Sequence, residues 1–116
     1  MSGAQNINEE MKIINIGDIA QAILSSKVRI SDHAYDEAEN DHLSFEEIYY
    51  SVLHGEIIEV YPQDAPYPSC LILGQTFNGG LVHSVWAYNG RNQWAVVVTV
   101  YRPDPGIWID GRKRRT

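Results

Sequence analysis

One cysteine, Cys70, is all the thiol chemistry in this chain of 116 residues. It excludes an internal disulfide and a cysteine-based zinc site, and it fits a reducing compartment, so a cytoplasmic protein is expected. Long apolar runs are lacking too, and none approaches the roughly 18 residues of a membrane-spanning helix. The first ten residues are polar and acidic, without the basic and apolar regions of a secretory signal, so no membrane partner is expected. Repeats and low-complexity segments are missing. Basic residues are scarce: nine Lys and Arg stand against fifteen Asp and Glu, a formal charge of −6. That balance argues against a protein that coats nucleic acid non-specifically.

What is there resembles an ordinary globular domain, with 44% hydrophobic and 21% charged residues and room for one domain only. The charges are segregated. Residues 32–59 hold nine acids and no Lys or Arg, whereas the last six residues, Gly-Arg-Lys-Arg-Arg-Thr, hold four of the basic ones. The basic end reads as a solvated tail, as a phosphate-binding arm, or as a segment that docks on the acidic helices of its own chain or of a second copy. A homo-oligomer follows from the last of these. The expected division is a lead-in over residues 1–14, one domain over 15–110 and a basic tail over 111–116.

From Ile16 the pattern is helical, with Ile19, Ala22 and Ile23 on one apolar face and Asp18 in the first turn. A second helix starts at Ser31 or Asp32, either able to cap it, and carries Ala34 and Ala38 toward the core before Asn40-Asp41-His42 breaks it. Ser44-Phe45-Glu46-Glu47 is a capping box that opens a third helix, and Gly55 closes it. Beyond Gly55 the period drops to two. Four strands are expected, over 56–61, 69–76, 81–88 and 93–101. The turns Asn78-Gly79-Gly80 and Asn89-Gly90-Arg91-Asn92 join the last three into an antiparallel meander. Val96-Val97-Val98 and Val100 place the last strand centrally, with both faces covered. The expected fold is α+β, with N-terminal helices packed on a four-stranded antiparallel sheet.

Four histidines offer general acid–base chemistry, and position separates them. His42 and His54 lie at helix ends, where a histidine satisfies terminal carbonyls. His33 lies in the first turn of its helix. The dipole there favours a neutral imidazole, while Asp36 and Glu37 favour the charged form, which leaves the direction of any shift open. His83 lies inside a strand, between Val82 and Ser84, where half-buried hydrogen bonding is the plainer role. A His33, Glu37 and His83 metal set is conceivable, but nothing matches the paired-histidine helix signature, and neither a metal nor a cofactor is expected. Cys70 reads as a small core residue, and Gly74, Gly79 and Gly80 as turn residues with no helix behind them. Trp86, Trp94 and Trp108 read as packing, although a surface tryptophan can stack a base.

Thr99 and Tyr101 share one face of the last strand, and Arg102 follows. Two hydroxyls beside an arginine suit phosphate oxygens, although both are simply good strand residues as well. Register decides whether His83 joins them. A two-residue turn at Gly90-Arg91 places His83 opposite Val98, facing away; a three-residue loop with a bulge places it opposite Thr99.

The order of these motifs carries a resemblance. Ser-Asp-His-Ala comes first, then a Ser-x-Glu-Glu helix ending in His-Gly-Glu-Ile-Ile-Glu-x-Tyr-Pro. Pro-Ser-Cys-Leu-Ile-Leu-Gly, Leu-Val-His-Ser-Val and Val-Val-Thr-Val-Tyr-x-Pro follow. Over about Ile30 to Arg114 the chain resembles the bacterial domain-of-unknown-function family 4258, which is similar to the RelE, barnase and EndoU nuclease and toxin superfamily. The resemblance implies metal-independent RNA cleavage, with His33, His83 and Thr99 as active-site residues and Tyr101 as a fourth. One histidine would take the 2′-hydroxyl proton and the other would protonate the leaving 5′-oxygen. Thr99, Tyr101 and Arg102 would stabilise the pentavalent phosphate, with Arg112 and Arg114 folding back as further substrate-binding cations. RNA, or a protein partner such as an antitoxin, is then expected. The family's pattern reads His-Ala-x-x-Arg-Met, whereas this chain reads His33-Ala34-Tyr35-Asp36-Glu37-Ala38, with acids where cations would meet phosphate. A non-catalytic interaction module on the same fold, or a metal-dependent hydrolase, are the alternatives.

Overall fold

The computed structural model describes residues 14–116. The expected lead-in over residues 1–14 therefore lies, except for Ile14, outside the described residues. Each of the three helices starts at a side-chain cap. Helix α1 (Ile16–Leu24) starts where the Asn15 side chain accepts the Gly17 amide at 2.6 Å. Helix α2 (Asp32–Asn40) starts on Ser31, whose hydroxyl accepts the Ala34 amide at 3.0 Å. Helix α3 (Phe45–Leu53) opens on the expected capping box between Ser44 and Glu47.

Between α1 and α2 runs a strand the sequence does not announce, β1 (Val28–Ile30), and after α3 come β2 (Glu56–Tyr61), β3 (Ser69–Gln75), β4 (Leu81–Asn89) and β5 (Trp94–Tyr101). The sheet order is β1-β5-β4-β3-β2, with β1 parallel to β5 and the other pairs antiparallel. The fold is α+β as expected, and the glycine turns do join β3, β4 and β5 in a meander. The sheet, however, is five-stranded and mixed instead of four-stranded and antiparallel. Three residues between two helices carry no readable period, and only a parallel partner reached through the chain's other half makes them a strand.

The helices cover one face. Ile19, Ala22, Ala34, Ala38, Ile48 and Val52 pack against Cys70, Ile72, Val82, Trp86, Val97 and Val100. Gly74 permits that contact, since a Cβ there would lie 2.0 Å from the Ser51 carbonyl oxygen. The other face is left partly open. Val96 is half-buried and Val98 is 39% exposed, so β5 does not have both faces covered as its valines suggest. The reason is a bulge. Val85 pairs with Thr99 and Trp86 with Val97, which leaves Val98 as an extra residue.

A second bulge, at Ile58, keeps Glu56 and Glu59 on the open face, opposite Leu73 and Leu71. The last residues are also structured. β6 (Trp108–Ile109) pairs with β7 (Lys113–Arg114) in a separate two-stranded ribbon, so residues expected in a solvated tail form a hairpin. It turns through Asp110 and Gly111, with φ of 55° and 71°. Among the described residues no helix is long and apolar enough to cross a membrane.

Candidate functional site

Beyond Ile30, the last residue of β1 to pair, β5 becomes an edge, and α2 takes the place of the missing strand. The Ser31 hydroxyl donates to the Val98 carbonyl at 2.9 Å. Glu37 on α2 accepts the Val100 amide at 3.1 Å, and Asp41, one turn on at the helix C-cap, accepts the Arg102 amide at 2.8 Å. Two carboxylates thus satisfy alternate amides that would otherwise be orphaned at the sheet edge. The Glu37 oxygen that takes Val100 also accepts the Thr99 hydroxyl and lies 3.2 Å from His33 Nε2. His33 itself is exposed, with 69% of its side chain open to solvent. His33 and Thr99 are therefore joined through Glu37.

The second group lies further along the same open face. The four-residue connection 90–93 and the Val98 bulge set the register, and His83 falls opposite Tyr101. This differs from both expected registers, Val98 and Thr99, yet it leaves His83, Thr99 and Tyr101 on one face, because Thr99 and Tyr101 are two residues apart. The Gly111 carbonyl can only accept, so His83 Nε2 carries the proton and donates to it at 2.5 Å. Nδ1 is then the acceptor, and the Tyr101 hydroxyl donates to it at 3.2 Å. His83 is fully buried, and Trp108 and Tyr101 meet its ring edge-on at 4.5 and 5.3 Å between ring centres. Burial lowers its pKa, helped by Arg114 and opposed by the Gly111 carbonyl and Glu59, so the imidazole is neutral. Burial likewise raises the Tyr101 phenol.

The arginines go elsewhere. Arg102 donates through Nε to the Asp41 carbonyl at 3.0 Å and through Nη2 to the His42 carbonyl at 3.4 Å. Arg112 pairs with Glu56. Arg114 grips Glu59 with two parallel hydrogen bonds of 3.1 Å, and its guanidinium lies 4.5 Å over the Trp108 ring. That grip holds the Glu59 carboxyl below its usual range. Tyr61, donating to Glu59 at 2.5 Å, is pushed up to about 12, chiefly by burial. The basic end does meet acids of the 32–59 block, but they are the strand residues Glu56 and Glu59 and not the helical ones expected. A strand pair offers two carboxylates on a flat face, which a hairpin can lie across. Nothing therefore brings Arg112 or Arg114 beside His33.

Among the described residues no group of three or more His, Cys, Asp or Glu is arranged to hold a metal ion. Two residues that matter here were not singled out as site residues by sequence. Glu37 links His33 to Thr99, and its i, i+4 spacing from His33 was the available signal. Gly111, with its carbonyl on His83, left no signal beyond a glycine before a basic run.

Helices on one side of a mixed sheet, one of them setting His33 and Glu37 against the edge of β5, and a hairpin laid over His83 on the other side define a small α+β domain. The chain belongs to the family described as domain of unknown function DUF4258, whose model matches residues 30–102. That span holds α2, α3, the four antiparallel strands and all of His33, Glu37, His83, Thr99 and Tyr101. No curated protein matches the chain, and no solved structure matches it.

Proposed function

We propose that this domain cleaves single-stranded RNA without a metal, on a nuclease-toxin type of α+β fold, at the open face of the sheet. The observation that carries the reading is the line of polar groups there: His33 and Thr99 on Glu37, then Tyr101 and His83 on each other. His33 takes the ribose 2′-hydroxyl proton, and the Glu37 carboxylate at 3.2 Å steadies the imidazolium that results. The Thr99 and Tyr101 hydroxyls, turned away from Glu37 and from His83 Nδ1, donate to the phosphate oxygens as charge builds on them. His83, once the Gly111 carbonyl is displaced and the ring has taken a second proton from solvent at Nδ1, returns a proton from Nε2 to the leaving 5′-oxygen and ends as the neutral imidazole. Two histidines and two hydroxyls cover every proton transfer of the reaction. A reducing cytoplasm fits the single cysteine, which can form no internal disulfide.

One observation favours a second reading, a non-catalytic module that binds a basic protein partner. Asp32, Asp36 and Glu39 are exposed around His33, while Arg102, Arg112 and Arg114 are engaged by carbonyls and carboxylates of the chain itself. Purified protein incubated with single-stranded RNA and a chelator decides between them. Cleavage that His33→Ala and His83→Ala each reduce by at least about a hundredfold supports the nuclease, in keeping with the worth of a general acid or base. Absence of cleavage at low and at high salt, by protein with a cooperative unfolding transition, supports the module.

A further inference from the structure

The end of the chain lies over the histidine that the proposed reaction needs as its acid. The hairpin turns at Asp110 and Gly111, and the Gly111 carbonyl takes the Nε2 proton of His83 at 2.5 Å. Gly111 sits so close to the sheet that a Cβ on it would lie 2.9 Å from Leu81 Cδ1. Trp108 is buried beside it, at right angles to the imidazole. The ribbon's own ladder is two residue pairs long, and such a ribbon has no independent stability in water. Apart from Trp108 and Gly111, its ion pairs with the sheet among the described residues are two, Arg112 with Glu56 and Arg114 with Glu59. Both arginine side chains are more than half exposed, at 58% and 57%, so these are pairs that salt weakens. The family match ends at Arg102, and the whole hairpin lies beyond it.

We infer that residues 106–115 form a salt-sensitive strap that closes over His83 and Tyr101 and, when displaced, presents both side chains to the open face of the sheet. Closed, the strap occupies Nε2 with a carbonyl and blocks the ring with an indole. Released, it frees Nε2 and leaves the sheet unchanged, because the hydrogen bond from Tyr101 to Nδ1 lies wholly between β4 and β5. The charged groups around the ring divide across the contact: Glu59 belongs to the sheet, beside the neutral Tyr61, and Arg114 to the strap. Release of the strap is independent of the nuclease reading; what release achieves rests on it.

Carbethoxylation by diethyl pyrocarbonate, followed residue by residue by mass spectrometry on the full chain at fixed pH, tests the strap. At low salt His83 should react far more slowly than the exposed His33, His42 and His54. Glu56→Gln and Glu59→Gln should each raise the His83 rate by roughly threefold, as should salt acting on the unaltered protein, which needs no variant to fold. Exchanging the charges, Glu59→Arg with Arg114→Glu, should bring back the slow rate. A His83 rate indifferent to both salt and Glu59→Gln, or equal to that of His33 at low salt, overturns the strap. The same samples are offered single-stranded RNA. Faster His83 modification without cleavage in any of them leaves the strap standing and sinks the nuclease reading. Cleavage with His83 unresponsive to salt does the reverse.

Discussion

Glu37 meets three groups with one oxygen: the Val100 amide, the Thr99 hydroxyl and the His33 imidazole. The first contact is structural, since it satisfies an amide on a fully buried residue at the sheet edge. The other two are chemical. The substitutions separate them. Glu37→Ala orphans the amide and the hydroxyl, and should cost about 1–3 kcal/mol of stability in chemical denaturation. Glu37→Gln keeps an acceptor for both but removes the charge, so it should cost less than half as much in the same measurement. An equal stability loss from both variants would show that the negative charge, and not the acceptor, holds β5. At this scale the helix or strand position of His33, His83, Thr99 and Tyr101 was readable from the sequence. Their partners were illegible. Whether His83 stood opposite Val98, Thr99 or Tyr101 depended on the length of the 90–93 connection and on one bulge at Val98, and a bulge inside a run of valines leaves no mark in composition.

The elements follow a similar division. Helix starts were legible because caps are chemical: Ser31 and Ser44 both do what their positions imply. The meander was legible from its glycine turns. β1, β6 and β7 were not, since strands of two or three residues are too short to show a period. The hairpin they form at the end of the chain is the least secured element. Burying Trp108 contributes about 2–3 kcal/mol, and each exposed ion pair at most about 1 kcal/mol. Closure also needs His83 neutral, since burial disfavours the imidazolium more than Glu59, opposite Arg114, favours it. The sign follows from linkage. With a lowered pKa in the folded state, stability is full above the ordinary histidine value of about 6.5 and falls as pH drops from there toward the lowered pKa. Below about pH 6.5 the unfolded or unstrapped chain binds a proton that the closed form refuses. Denaturation midpoints of the parent chain should therefore drop between pH 7 and pH 5 by more than those of His83→Gln, which cannot titrate. Tyr61 and Tyr101 stay protonated throughout this range, and Glu59, held low by Arg114, stays charged over most of it. Parallel curves for the two proteins would remove His83 from the closure.

Across the whole molecule, charge is arranged against the polyanion that the open face is proposed to take. The chain carries −6, and its acids gather on α2 around His33 while its basic end is spent on β2. A long-range field of that sign slows the approach of RNA and falls away as salt rises. It costs a protein-binding module nothing, and it would speed a basic partner. The two readings thus predict opposite responses to the same change. Asp32, Asp36 and Glu39 are exposed, and none of them holds the fold through a side-chain hydrogen bond among the described contacts, so Asp32→Asn, Asp36→Asn and Glu39→Gln together remove three negative charges with little effect on stability. If the open face receives RNA, the triple variant should bind a short single-stranded oligonucleotide about tenfold more tightly at low ionic strength, by fluorescence anisotropy, with the gain shrinking as salt is added. If α2 instead presents its acids to a basic partner, RNA binding should stay undetectable in both proteins, and a lysine-rich peptide should bind the parent chain better than the variant. RNA affinity that rises equally at low and high salt would contradict a field effect and would place the gain in direct contacts along α2.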